Sequence, residues 1–141
     1  MSEYANRVAQ ICYDFYKKTV PPKCKPANTE WTTLASILLE TRISSNDETS
    51  LKVLCMTTGT KCLSEKQLPV DGTLVHDSHA EILARRCFIR YMINEIGRLQ
   101  AEPSFKSEIL VFAESATSDK PSFSVRPDVK FVLFISHTPC K

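Results

Sequence analysis

His79 and Glu81 stand two positions apart within Asp77-Ser78-His79-Ala80-Glu81, and a Pro139-Cys140 pair lies far downstream, just before Lys141. An imidazole, a thiolate and a carboxylate of this kind can hold zinc and carry the proton transfers of a hydrolysis. Zinc that activates water needs about three protein ligands and an open fourth position. His79 offers the imidazole and Cys140 the thiolate. Glu81, too near such a metal to be idle, suits a general acid–base that takes a proton from the attacking water and returns it to the leaving group. Each residue also has a plainer reading. His79 reads equally as an ordinary histidine at a helix start, Cys140 as a buried free thiol, and Glu81 as the capping-box partner of Ser78 three positions earlier. Cys55, Cys62 and Cys87 are available as a third ligand, yet nothing in their spacing selects one.

These groups need a fold to position them, and 141 residues, 43% hydrophobic and 24% charged, suffice for one compact domain of ordinary globular balance. Tyr4, Val8, Ile11, Cys12 and Phe15 recur at helical spacing and predict an amphipathic helix over 3–18, stopped by Pro21 and Pro22. The proline- and lysine-rich stretch 21–26 cannot pair as a central strand and reads as a spacer. Apolar segments at 31–39 and 51–57 predict neighbouring strands, with the polar run 42–50 a mobile loop between them. In Thr58-Gly59-Thr60-Lys61-Cys62, Gly59 is expected to take a backbone conformation closed to other residues and to bring the loop close to a ligand. A long helix over 78–99 and strands over 107–113 and 129–136 complete the pattern. The last of these is so apolar that it predicts a central strand covered on both faces. About four strands and two main helices in this order give an α/β helix-on-sheet sandwich. It places His79 at a helix start and Cys140 just past a strand end, where α/β sheets receive ligands.

A net charge of +2 is too small to argue for a nucleic-acid partner by itself. Six cysteines without a Cys-x-x-Cys pair argue against zinc ribbons and thioredoxin-like centres, and predict free thiols with one metal ligand among them. No signal-type apolar core opens the chain, and no run approaches the ~18 apolar residues of a membrane span. The expectation is a soluble intracellular protein of cytoplasm or nucleus. Arg85, with Ile82, Phe88 and Ile89 three or four positions away, is expected to face the core, partnered by Glu81 or by a bound polyanion.

Five blocks run through the chain in order: Glu30-Trp31-Thr32, Thr58 to Cys62, Asp77 to Glu81, Ala84-Arg85-Arg86, and Ser136-His137-Thr138-Pro139-Cys140. Together they resemble the RNA adenosine deaminases, above all the tRNA-directed members, over the whole length. The resemblance implies a cytidine-deaminase-like fold and hydrolytic conversion of adenosine to inosine. It implies zinc held by His79, Cys140 and a later cysteine, with Glu81 as proton shuttle. RNA, specifically tRNA, is the implied partner, rather than DNA or a membrane; the oligomeric state stays open. Thr60 and Lys61 match the loop lining the target-nucleotide pocket, and Asp77, Arg85 and Arg86 match positions around a buried inositol hexakisphosphate. His76 departs from the asparagine usual before that aspartate. The family pattern continues Pro-Cys-Gly-Asp where this chain has Pro139-Cys140-Lys141. Residues 1–141 are therefore expected to be the truncated N-terminal part of an adenosine-to-inosine deaminase domain, inactive alone for want of a ligand. Two other expectations compete: a non-catalytic fragment that binds RNA or another protein, and a fragment that does not fold stably.

Overall fold

The structure is a computed structural model that describes residues 2–43, 49–102, 104–113 and 122–138. Helix α1 (Glu3–Thr19) starts at Ser2, whose hydroxyl accepts the Ala5 N–H at 3.3 Å. Glu3 in its first turn and Lys17 and Lys18 in its last complement the helix dipole. A short 3-10 turn, Pro22–Cys24, occupies the proline-rich spacer.

Three strands form the main sheet: β1 (Leu34–Arg42), β2 (Thr49–Thr58) and β7 (Val129–Ile135), antiparallel and in the order β2-β1-β7. Alternation along β1 divides two cores. Ala35 and Ile37 pack with Cys55 against Ala80 and Ala84 of helix α2 (Ala80–Ala101), while Leu38 on the other face packs with Val8 and Cys12 of α1. Burial of a side chain as enclosed as Leu38 contributes about 1.5–3 kcal/mol. Opposite Ile37 and Leu38 the register jumps from Cys55 to Val53, a bulge that adds Leu54 to the core continuing under α2. The result is a mixed α/β sandwich with one helix on each face of an antiparallel sheet.

Four further strands have three residues each: β3 (Thr60–Cys62), β4 (Asp77–His79), β5 (Leu110–Phe112) and β6 (Phe123–Val125). Of these only β5 falls within a predicted strand, 107–113, of which it keeps three residues; β3, β4 and β6 were not expected, because alternation cannot declare itself over so few residues. β7 was expected in the middle of the sheet, yet among the described residues it is an edge with β1 as its only neighbour. Its apolar run answers instead to the two helix-bearing faces: Phe131 and Ile135 pack on the α2 side, Val132 and Phe134 on the α1 side, while Leu133 stays 58% exposed. The first strand begins at Leu34 rather than at Trp31, which is 69% exposed. Most of the loop expected over 42–50 lies outside the described residues, since β1 runs to Arg42 and β2 begins at Thr49.

Ser107 ties the far end of α2 to β5. Its hydroxyl donates to the buried Glu95 carboxylate at 2.5 Å and accepts the N–H groups of Ile109 and Leu110, each at 3.2 Å.

Candidate active site

Two of the short strands build the site. β3 and β4 pair antiparallel, with Thr60 opposite His79, Lys61 opposite Ser78 and Cys62 opposite Asp77. The glycine-containing loop and the His-x-Glu segment, apart in sequence, are thereby neighbours in one ribbon. Gly59 fastens that ribbon to the sheet and to α2. Its carbonyl accepts the Ala80 N–H at 3.0 Å and the Thr33 hydroxyl at 2.5 Å, and its own N–H donates to the Thr33 carbonyl at 3.3 Å. The bond to Ala80 satisfies one of the orphan donors at the helix start. The Thr57 hydroxyl donates to the Ala80 carbonyl at 2.7 Å on the other side.

A Cβ on Gly59 would sit 2.1 Å from the Ser78 carbonyl oxygen. Glycine is needed here for close approach, not for the special backbone conformation the sequence suggested; among the described residues the left-handed glycine is Gly72, at φ 68°.

His79 is the N-cap of α2 and the last residue of β4. The Asp77 carboxylate lies 2.8 Å from His79 Nδ1, and the same oxygen accepts the His79 backbone N–H at 2.9 Å. Residues two apart in a strand share a face, so the Asp-x-His spacing sets up this pair. A carboxylate only accepts, so Nδ1 carries the proton and Nε2 is the ring nitrogen left for another partner. The His79 backbone N–H, followed by its ring, holds the Asp77 carboxyl below the usual carboxylate range. An imidazole gripped from behind by a carboxylate is the usual arrangement of a metal-ligating histidine.

Glu81 lies in the first turn of α2. The capping box expected from Ser78 and Glu81 does not form. The N-cap is His79, no side chain caps the helix, and Ser78 is committed to β4 opposite Lys61.

Arg85 is exposed, not core-facing. The stripe of α2 turned to the sheet is Ala80, Ala84 and Phe88, the two alanines letting the helix approach closely, and Arg85 lies one position, about 100°, off that stripe. Nor does it pair with Glu81 among the ion pairs of the described residues. Arg86, also exposed, donates to the Asp77 carbonyl at 3.2 Å, steadying the strand that carries the Asp77–His79 pair.

Cys140 lies outside the described residues, but the chain leading to it is placed. The Ser136 N–H donates to the Leu34 carbonyl and the Ser136 hydroxyl accepts the Leu34 N–H, both at 2.9 Å. Leu34 in turn pairs with Thr58. Residues 136–138 therefore leave the sheet at the end where Gly59 is fastened to α2. Among the described residues no three His, Cys, Asp or Glu side chains are grouped to hold a metal. Of the cysteines considered as third ligand, Cys55 is buried, donates to the Ala84 carbonyl at 3.6 Å, and is pushed up to about 11, chiefly by burial. That thiol stays protonated, unsuited to ligation where it stands. Cys62 and Cys87 are exposed free thiols, Cys62 lying 3.8 Å from His76 Nε2.

Thr60 stands beside His79 in the ribbon. Lys61 and Ser78 occupy the opposite face from Asp77 and His79, and there they line a cavity of about 710 Å³. The Asp77–His79 contact and the role of Thr33 were not anticipated as such; the Asp-x-His spacing is the signal that carried the first, and nothing in the sequence carried the second. Among the described residues no helix is long and apolar enough to cross a membrane.

Residues 55–141 match the adenosine-deaminase (editase) domain family. The tRNA-specific adenosine deaminase 1 of Mus musculus is 36% identical over 146 residues, which covers 96% of this chain and 28% of the relative. Its Homo sapiens counterpart is 34% identical over 145 residues with the same coverage. The double-stranded RNA-specific editase Adar of Drosophila melanogaster is 34% identical over 89 residues, 63% of this chain and 13% of that protein. The chain thus spans 28% of the length of these tRNA-specific relatives.

Proposed function

Because this chain belongs to the adenosine-deaminase (editase) domain family, we propose that residues 1–141 are the N-terminal part of a cytidine-deaminase-like domain converting adenosine to inosine in tRNA. The observation that carries this reading is the Asp77–His79 pair, held against Gly59 and Thr60 at the start of α2. With Nδ1 engaged by Asp77, Nε2 is the ring nitrogen oriented to serve as a zinc ligand.

In this centre His79 and Cys140 would hold the metal together with a third ligand. Zinc, when bound, supplies Lewis acidity that makes water nucleophilic at neutral pH. Glu81, two residues beyond His79, accepts one proton from the attacking water and gives it to a ring nitrogen of the adenine, then takes the proton of the added hydroxyl and gives it to the departing amine. Water adds at C6, ammonia leaves, and inosine remains. Thr60, cross-strand from His79, contacts the extruded nucleoside, with Lys61 on the neighbouring face drawing in its phosphates. Arg85 and Arg86 present guanidinium groups to the polyanion inositol hexakisphosphate, and Asp77 links that region to the metal ligand. The protein acts inside the cell in tRNA processing.

The test is a chimera in which residues 1–141 replace the matching part of the mouse relative, with bound zinc measured by mass spectrometry. One zinc per chain is expected, lost in His79→Ala and in Cys140→Ser. Full zinc occupancy in both variants would overturn the ligand assignment.

A further inference from the structure

The cavity of about 710 Å³ on the back of the β3–β4 ribbon has a basic rim: Lys23, Lys25 and Lys61 surround it, with Trp31 as a wall. Its size falls within the ~300–1,000 Å³ of ordinary ligand sites. Among the described residues Glu30 is the one acidic side chain lining it, accepting the Ala27 N–H at 3.2 Å, so three ammonium groups stand against one carboxylate. Lys25 is fixed in place, its ammonium donating to the Lys17 carbonyl at 3.1 Å and lying 5.5 Å over the Tyr16 ring. Trp31 is 69% exposed and belongs equally to a second groove of about 390 Å³, lined by Tyr13, Tyr16 and His137. Its ring stands 6.0 Å from that of His137 at 32°. One exposed indole thus joins a cationic cavity to an aromatic one.

We propose that this double groove binds the single-stranded RNA flanking the target adenosine, with the lysines on its phosphates and Trp31 stacked on a base. The inference rests on the reading of the substrate as RNA, and extends it from Thr60 and Lys61 to Lys23, Lys25 and Trp31, which none of the chemistry above uses. Lysines alone would accept any polyanion, and aromatic rings alone any apolar segment. The two interleaved select a strand that offers phosphates and π-faces together, and a duplex would keep its bases stacked away from the indole. Position agrees. Thr60 lines the cavity together with Lys61 and Ser78 and is also the cross-strand partner of His79, so a strand with one nucleotide at His79 can pass Thr60 and lay its neighbours against Trp31.

Trp31 is the only tryptophan in the chain, so its emission reports stacking directly. A fluorescein-labelled single-stranded oligoribonucleotide of about ten nucleotides is titrated into the 141-residue chain at low salt, with anisotropy and Trp31 emission followed in parallel. Saturable binding with matching quenching is expected. For three lysine contacts the slope of log affinity against log salt is about −2, and Lys23→Ala flattens it by about 0.7. Trp31→Ala weakens binding roughly ten-fold or more, while Trp31→Phe retains most of it. Both side chains are exposed and outside the cores, so the variants should keep the parent's circular dichroism spectrum.

RNA binding by anisotropy with unmoved Trp31 emission and unaltered affinity in the variants would overturn the groove and leave the RNA reading standing. Equal quenching by a poly-aspartate peptide would also overturn it, pointing to an acidic protein instead. An absence of RNA binding at low salt sinks the groove as well, while the zinc content of the chimera judges the deaminase reading separately.

Discussion

At the scale of single residues, what makes His79 a ligand candidate is the company it keeps. The Asp77 carboxylate contacts both its ring and its backbone N–H. Its folded-state pKa is lowered by those contacts, so the stabilisation is present above the unfolded value of about 3.9 and lost as pH falls through the lowered one. Asp77→Asn should therefore unfold at lower urea than the parent near neutral pH, with the gap closing in acid. A gap that persisted below both values would show that Asp77 acts by shape, not charge. Within the chimera the same substitution should weaken zinc binding by roughly 10–100-fold, as removal of a ligand's orienting partner does. Gly59 makes a sterner residue-level prediction. Any Cβ there meets a backbone oxygen at 2.1 Å, which no side-chain rotation relieves. Gly59→Ala should cost about 1–3 kcal/mol by urea denaturation, and an unchanged midpoint would contradict the packing described.

At the scale of elements, the β3–β4 ribbon and α2 form one unit: Gly59 and Thr57 grip Ala80, and Arg86 reaches back to Asp77. Ser107 anchors the other end of α2. Ser107→Ala leaves the buried Glu95 carboxylate and two backbone N–H groups without that partner, and should cost about 1–3 kcal/mol in thermal or urea unfolding. Both helices were legible in the sequence because 17 and 22 residues give periodicity room to repeat. The three long strands were legible as apolar runs, though their ends moved by up to three residues. β3 and β4 were not, although they hold the site, since three residues carry no pattern. Arg85 misled for a definite reason. Its apolar neighbours at three and four positions suggested an inward face, whereas two alanines spaced four apart, which scarcely register as hydrophobic, decide which side of α2 approaches the sheet.

At the scale of the whole molecule, the start of β1, the end of β2 and the end of β7 meet at one edge, and α2 begins there. Every block that resembled the RNA adenosine deaminases maps to that edge or to α2 beginning beside it, apart from Pro139 and Cys140, which lie outside the described residues. The family was legible because motif order survives in sequence; the back groove was not, because it joins Lys23, Trp31 and Lys61 from three separate segments. The central claim is that these residues serve an adenosine-to-inosine deaminase with Glu81 as its proton carrier. Its most direct test is inosine formation on tRNA by the zinc-loaded chimera, parent against Glu81→Gln. The expected result is activity in the parent and a loss of roughly 10²–10⁴-fold in the variant with zinc content unchanged. Inosine formed at the parent's rate by Glu81→Gln, or none formed by a parent that holds its zinc, would contradict it.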